Sequence, residues 1–200
     1  MWFEIGCAKA RNKPIYLIYK KDEKHYKSII KAFKNQKIYM YTIDNLYKNI
    51  EDIAKKFKPC EAESSDIRFI DASIDEVFII YPESFRQTCN EIIELDFLDK
   101  NNSEEISNNN TSEARIDKII SRVSKYKKIL GILDYTQNEV PLQNSTIAYI
   151  FGYFFSMESN IAIIKCGDEE IAEKKFFDLE DFSHFIEQPE DIKEYLENIN

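Results

Sequence analysis

An α/β fold, with an open parallel sheet covered by helices on both faces, is predicted by three observations. The segments that read as strands are continuous apolar runs rather than alternations, notably VFIIY at residues 77–81 and ILGILD at residues 129–134; strands covered on both faces read this way. Segments with helical apolar spacing lie between these runs, and strand–helix alternation builds parallel sheets. Finally, the chain carries one pattern twice. Phe3-Glu4-Ile5-Gly6 lies over Tyr149-Ile150-Phe151-Gly152, and Ile15-Tyr16-Leu17-Ile18 over Ile161-Ala162-Ile163-Ile164, at one offset of 146 positions.

Taken in order, residues 2–11 read as a short helix containing the small residues Gly6, Ala8 and Ala10. Asn12-Lys13-Pro14 ends it, because proline restricts the residue before it. A strand at residues 15–19 follows, then a basic amphipathic helix near residues 25–33, a strand at 37–41 and a helix over about 44–57 with Leu46, Ile50, Ile53 and Ala54 on one face. The polar run at residues 59–66 (PCEAESSD) marks a boundary, so residues 1–60 form one unit and residues 61–200 a second.

In the second unit a short strand is expected at residues 68–72, and a stronger one at 77–81 that stops at Pro82. Glu83 or Ser84 then caps a helix running to Leu95. Residues 99–113 hold almost no apolar side chain except Ile106 and read as a mobile surface loop. Ile116, Ile119, Ile120 and Val123 have helical spacing, and the strand at 129–134 comes next. The apolar helix over about residues 145–158, capped by Asn144 or Ser145, leads into a strand at 160–165. A last strand near residues 175–177 and acidic helices through 182–186 and 192–196 close the chain.

Composition narrows the function. With 36 acidic against 27 basic residues the formal charge is −9, which argues against nucleic acid as a partner. Cys7, Cys60, Cys89 and Cys166 include no C-x-x-C pair, so neither a zinc site nor a redox dithiol is signalled, and reduced thiols in the cytoplasm are expected. The opening residues lack the basic n-region of a signal peptide, and no apolar run approaches the ~18 residues of a membrane span, so no membrane partner is expected. His25 and His184 each stand alone, His184 beside Phe182 and Phe185, and read as surface or partly buried packing residues rather than catalytic ones.

FEIGCAKARNKPIYLI resembles the glutamate–glycine helix and following strand of the nucleoside 2-deoxyribosyltransferase family. Residues 77–85 (VFIIYPESF) look like that family's first strand and loop, and ILGILD like the strand before its motif. The resemblance implies a Rossmann-like, flavodoxin-like fold with an incomplete N-terminal repeat of the same unit. It implies an enzyme of nucleobase salvage that cleaves the N-glycosidic bond of a deoxynucleoside and passes the sugar to another base, without metal or cofactor. It also implies a homo-oligomer, or a partner chain that completes the site.

On this resemblance Glu4 falls on the catalytic glutamate. A carboxylate attacking the anomeric carbon forms a glycosyl-enzyme through an oxocarbenium-like transition state, and a second base then displaces it with retention. Ile150 replaces that glutamate in the second copy, and Asn144 replaces the aspartate that the family places shortly before it; in the first copy the aspartate's position would precede Met1. Phe78 stands where the family often has a tyrosine, and Asp134 ends a buried strand, where α/β folds place ligand crevices. Asp134, Asn144 and Phe78 are therefore the candidate substrate-binding residues.

Two functions remain open on the sequence. One is a transferase in which Glu4 works in a pocket completed by the other unit or by a partner chain. The other is a catalytically inactive relative that binds a nucleoside or nucleotide, or serves in assembly. Each candidate also has an ordinary reading: Glu4 as a carboxylate favoured near a helix N-terminus, Asp134 as a loop cap, and Tyr149, Tyr153, Phe154 and Phe155 as core or as a dimer face.

Overall fold

A computed structural model of the chain describes residues 2–13, 15–20, 37–41, 43–56, 72–94, 102–107, 112–136, 142–170, 172, 183–188, 191 and 194. Five helices, α1 (Trp2–Ala10), α2 (Leu46–Lys56), α3 (Arg86–Glu94), α4 (Glu113–Val123) and α5 (Leu142–Phe155), accompany seven strands among the described residues. The strands are β1 (Tyr16–Lys20), β2 (Lys37–Tyr41), β3 (Ile74–Pro82), β4 (Ser103–Ile106), β5 (Tyr126–Tyr135), β6 (Asn160–Gly167) and β7 (Ser183–Ile186).

β3 to β7 form one five-stranded parallel sheet in the order β4-β3-β5-β6-β7, while β1 and β2 pair in parallel as a separate two-stranded sheet. Numbered from β3, the larger sheet has the order 2-1-3-4-5 of flavodoxin-like, Rossmann-like folds. Its connections reverse direction between β3 and β5, and such a switch point opens a crevice at the carboxyl ends of the two strands.

Strand periodicity sorts the core into two layers. Phe78, Ile80, Ile129, Leu133, Ile161 and Ile163 pack on one face with Ile116, Ile119 and Val123 of α4 and Ile147, Ile150, Phe151 and Phe154 of α5. Ile79, Tyr81, Leu130, Ile132, Ile164 and Cys166 pack on the other with Phe85 and with Cys89 of α3. At about 1.5–3 kcal/mol per fully buried large apolar side chain, this double-sided burial is the main force holding the sheet together. Gly131 explains the break in the run ILGILD: a Cβ there would lie 2.6 Å from the Phe151 ring, so the missing side chain lets α5 settle on β5.

Several expectations are corrected. The stretch read as a mobile loop contains β4, hydrogen-bonded to β3 with Ile79 opposite Ser103 and Pro82 opposite Ile106. Its charge hid it: Glu104 is only 7% exposed, and its carboxylate is bound by Arg115 and Arg122 of α4, the latter at 2.7 Å. Residues 183–186, expected as helix, form β7 alongside β6, with Ile186 buried in the second layer. α5 begins at Leu142, so Asn144 and Ser145 lie inside the first turn rather than before it. The helix expected near residues 25–33, the boundary at 59–66 and the strand at 175–177 lie outside the described residues, as do nearly all of those at 68–72 and 192–196. Among the described residues no helix is long and apolar enough to cross a membrane.

Candidate functional site

At the switch point the chain leaves β3 through Pro82 into a 3-10 turn, Glu83–Phe85, which places Ser84 over the end of β5. Ser84 Oγ donates to Asp134 Oδ2 at 2.5 Å. The other carboxylate oxygen, Oδ1, accepts from the Thr136 backbone N–H at 2.9 Å and from Thr136 Oγ1 at 2.6 Å. An aspartate accepting from the backbone two residues on is an Asx turn, which bends the chain sharply as it leaves the strand. Asp134 is 0% exposed, so these donors replace the water that a buried carboxylate would otherwise lack.

Asn144 supports the site from α5. Its Nδ2 donates to the Asp134 carbonyl at 2.7 Å and its Oδ1 accepts from the Asp134 N–H at 2.9 Å. The side-chain amide thus pairs with the Asp134 backbone as a neighbouring strand would, and locks the start of α5 to the end of β5. On β5's other side, Asp134 lies opposite Cys166 and Tyr135 opposite Gly167. Gly167 has φ of 122° and approaches so closely that a Cβ would lie 2.4 Å from Tyr135 C; only glycine satisfies both conditions.

Burial favours the neutral forms of one thiol and two phenols in the surrounding layers. Burial, with the charge of Glu105 adding to it, pushes the Cys89 thiol up to about 12. Burial, then Cys89 and Glu105, pushes the Tyr81 phenol up to about 12. The Tyr135 phenol is raised as well, by burial alone, and its hydroxyl has no hydrogen-bond partner among the described residues. A thiol kept protonated is not a nucleophile. Among the described residues the site thus gathers the hydroxyls of Ser84 and Thr136 around one buried carboxylate, that of Asp134.

The four sequence candidates separate. Asp134 and Asn144 meet in this site. Phe78 is 0% exposed inside β3, edge-on to Tyr126 at 4.9 Å and beneath the Arg122 guanidinium at 5.1 Å, a packing position. Glu4 lies exposed on α1. Ile150, which occupies the glutamate position in α5, is 0% exposed within the core. Ser84, expected only as a helix cap, and Thr136 join Asp134 here; the signal for Thr136 is a hydroxyl residue two positions after a strand-ending aspartate.

α1 and α5 cross at their glycines. A Cβ on Gly6 would lie 2.0 Å from the Tyr149 carbonyl oxygen, and a Cβ on Gly152 would lie 1.8 Å from the Phe3 carbonyl oxygen. The two contacts are reciprocal: Gly6 corresponds to Gly152, and Phe3 to Tyr149, under the same shift of 146 positions. Phe3 also meets Phe155, ring centroids 5.4 Å apart. α1 thus packs on the aromatic side of α5 and leaves Phe155 partly exposed.

Compared with known protein families, with curated proteins and with solved structures, the chain matches none.

Proposed function

We propose that this protein is a catalytically silent relative of the nucleoside 2-deoxyribosyltransferases that binds a deoxynucleoside or nucleobase at the β3–β5 switch point. The observation that carries this reading is the fate of the glutamate position. In the unit with a crevice it is Ile150, sealed in the core, and the carboxylate that remains, Glu4, is exposed on α1. A glycosidic nucleophile needs a water-poor pocket, and an exposed helix position does not offer one.

The finer reading of the fold belongs to the same proposal. α1–β1–β2 is an incomplete repeat of α5–β6–β7, supported by the reciprocal glycine contacts and by parallel pairing of β1 with β2 and of β6 with β7 at nearly one offset. In the crevice, Ser84 turns from Asp134 to a ligand hydroxyl, and Asp134 accepts from that hydroxyl in its place.

Titration calorimetry with deoxynucleosides and free bases, beside a base-exchange assay, tests the proposal. Binding without exchange is expected, with Ser84→Ala weakening it roughly fivefold, about the value of one hydrogen bond. Base exchange that disappears in Glu4→Gln would establish the transferase reading instead. No binding of any deoxynucleoside or base would remove the ligand assignment.

A further inference from the structure

We infer that α5 carries a self-complementary dimerisation face, which α1 occupies within the single chain. The crossing of α1 and α5 is reciprocal. From Phe3 to Gly6 along α1, the partner on α5 changes from Gly152 to Tyr149, so the two helices run in opposite senses past each other. Each contributes an aromatic residue followed three positions later by glycine: Phe3 and Gly6, Tyr149 and Gly152. Of the chain's four glycines only these two have an aromatic residue three positions before them; Gly131 has Lys128 and Gly167 has Ile164.

A contact set that survives exchange of its two members is the signature of an isologous, two-fold interface. Here both members sit in one chain, and the inference rests on reading them as two copies of one unit. If α1 leaves, the vacated notch on α5 is lined by Tyr149, Gly152, half-buried Tyr153 and exposed Phe155. A second α5 fits that notch, because it brings its own glycine to the Tyr149 carbonyl and its own Tyr149 carbonyl to the facing glycine. Close approach of this kind lets glycine Cα–H groups meet the carbonyls and brings the two helix backbones together. The Phe3–Phe155 ring contact is replaced twice, by Tyr149 against Phe155 in each direction. The occupant is therefore a second copy of this chain.

Light scattering after gel filtration of the full chain, at tens of micromolar, tests the inference. Wild type is expected at the monomer mass. Gly6→Leu drives a side chain into the Tyr149 backbone, expels α1 and should double the mass; Gly6→Leu with Gly152→Leu, which also fills the notch on α5, should return it to monomer. Phe3→Asp, which spares both glycines, is the second route to release and should likewise give a dimer if Gly6→Leu fails to fold. A folded Gly6→Leu or Phe3→Asp protein that stays monomeric overturns the inference. So does a wild-type dimer that Gly152→Leu dissociates. Absence of nucleoside binding by wild type would instead count against the ligand reading, whatever the masses show.

Discussion

α5–β6 and α1–β1 carry matching residues at an offset of 146 positions, and each strand pairs in parallel with the strand that follows, yet β6 is buried on both faces and β1 is not. Ile164 in β6 is 0% exposed, and Ile18, its counterpart in β1, is 37% exposed. β6 lies between β5 and β7, with α5 on one face and the Phe85–Cys89 layer on the other. β1 pairs with β2 alone among the described strands. A parallel sheet draws its stability from cover on both faces. Local pattern sets the secondary structure, while the layers above and below set how much each residue contributes.

Cutting the same side chain from both strands should give the largest contrast. Ile164→Ala should cost about 2–5 kcal/mol, in the range for core truncations, and Ile18→Ala under about 1 kcal/mol, as a partly exposed site does. Urea denaturation of each variant reads the difference directly; equal costs would mean that β1 is as well covered as β6.

The glycine crossing should behave as one contact seen from two ends. Gly6→Ala and Gly152→Ala should each cost about 1–3 kcal/mol by overpacking, with similar values. The double variant should cost little more than either single, because neighbours sharing one contact are not additive. Additive costs, measured by the same denaturation, would mean that the two glycines act independently.

Asn144→Ala probes what the region of α5 and β6 has and that of α1 and β1 does not show. It leaves the Asp134 N–H and carbonyl without the amide that pairs them, and should lower stability by about 1–3 kcal/mol and weaken any ligand held at Ser84 and Asp134. Calorimetry of unfolding and of binding separates the two effects.

The smallest effect is expected from pH. Cys89 and Tyr81 have folded values near 12, above their ordinary ones, so their protonated forms are favoured by folding. That contribution is complete below the unfolded thiol's value of about 9 and is lost as pH rises from there toward 12. The urea midpoint should fall over this window, and Cys89→Ala should flatten part of the fall. Alkylation sharpens the regional contrast: half-buried Cys7 on α1 should react with the native protein well before buried Cys89 and Cys166.

The legible parts of the fold were those where burial and apolarity coincide. β3, β5 and β6 announced themselves as unbroken apolar runs, and α5 as an apolar helix around a glycine. β4 was hidden because two of its four residues are glutamates, and its burial became legible only once the arginines of α3 and α4 were seen to neutralise them. β7 was missed because four residues of SHFI show no period of their own; pairing with β6 decides their form. Asp134 was found by its place at the end of a buried strand. Ser84 was not, because it reaches Asp134 across fifty positions of sequence, a distance that no local pattern encodes.

β4 also bears on how the molecule meets others of its kind in a crowded solution. Among the described strands it is the outermost of the sheet on its side, and an outermost strand invites another chain to stack on it and seed a fibril. Glu104 and Glu105 project to opposite faces of this strand; Arg115 and Arg122 hold the first, and Arg86 grips the second through two bonds of 2.6 and 2.7 Å. Any strand stacking alongside would bring its side chains against these ionic clamps on both faces at once. The same charges that conceal β4 from a reader of the sequence guard that margin of the sheet against stacking.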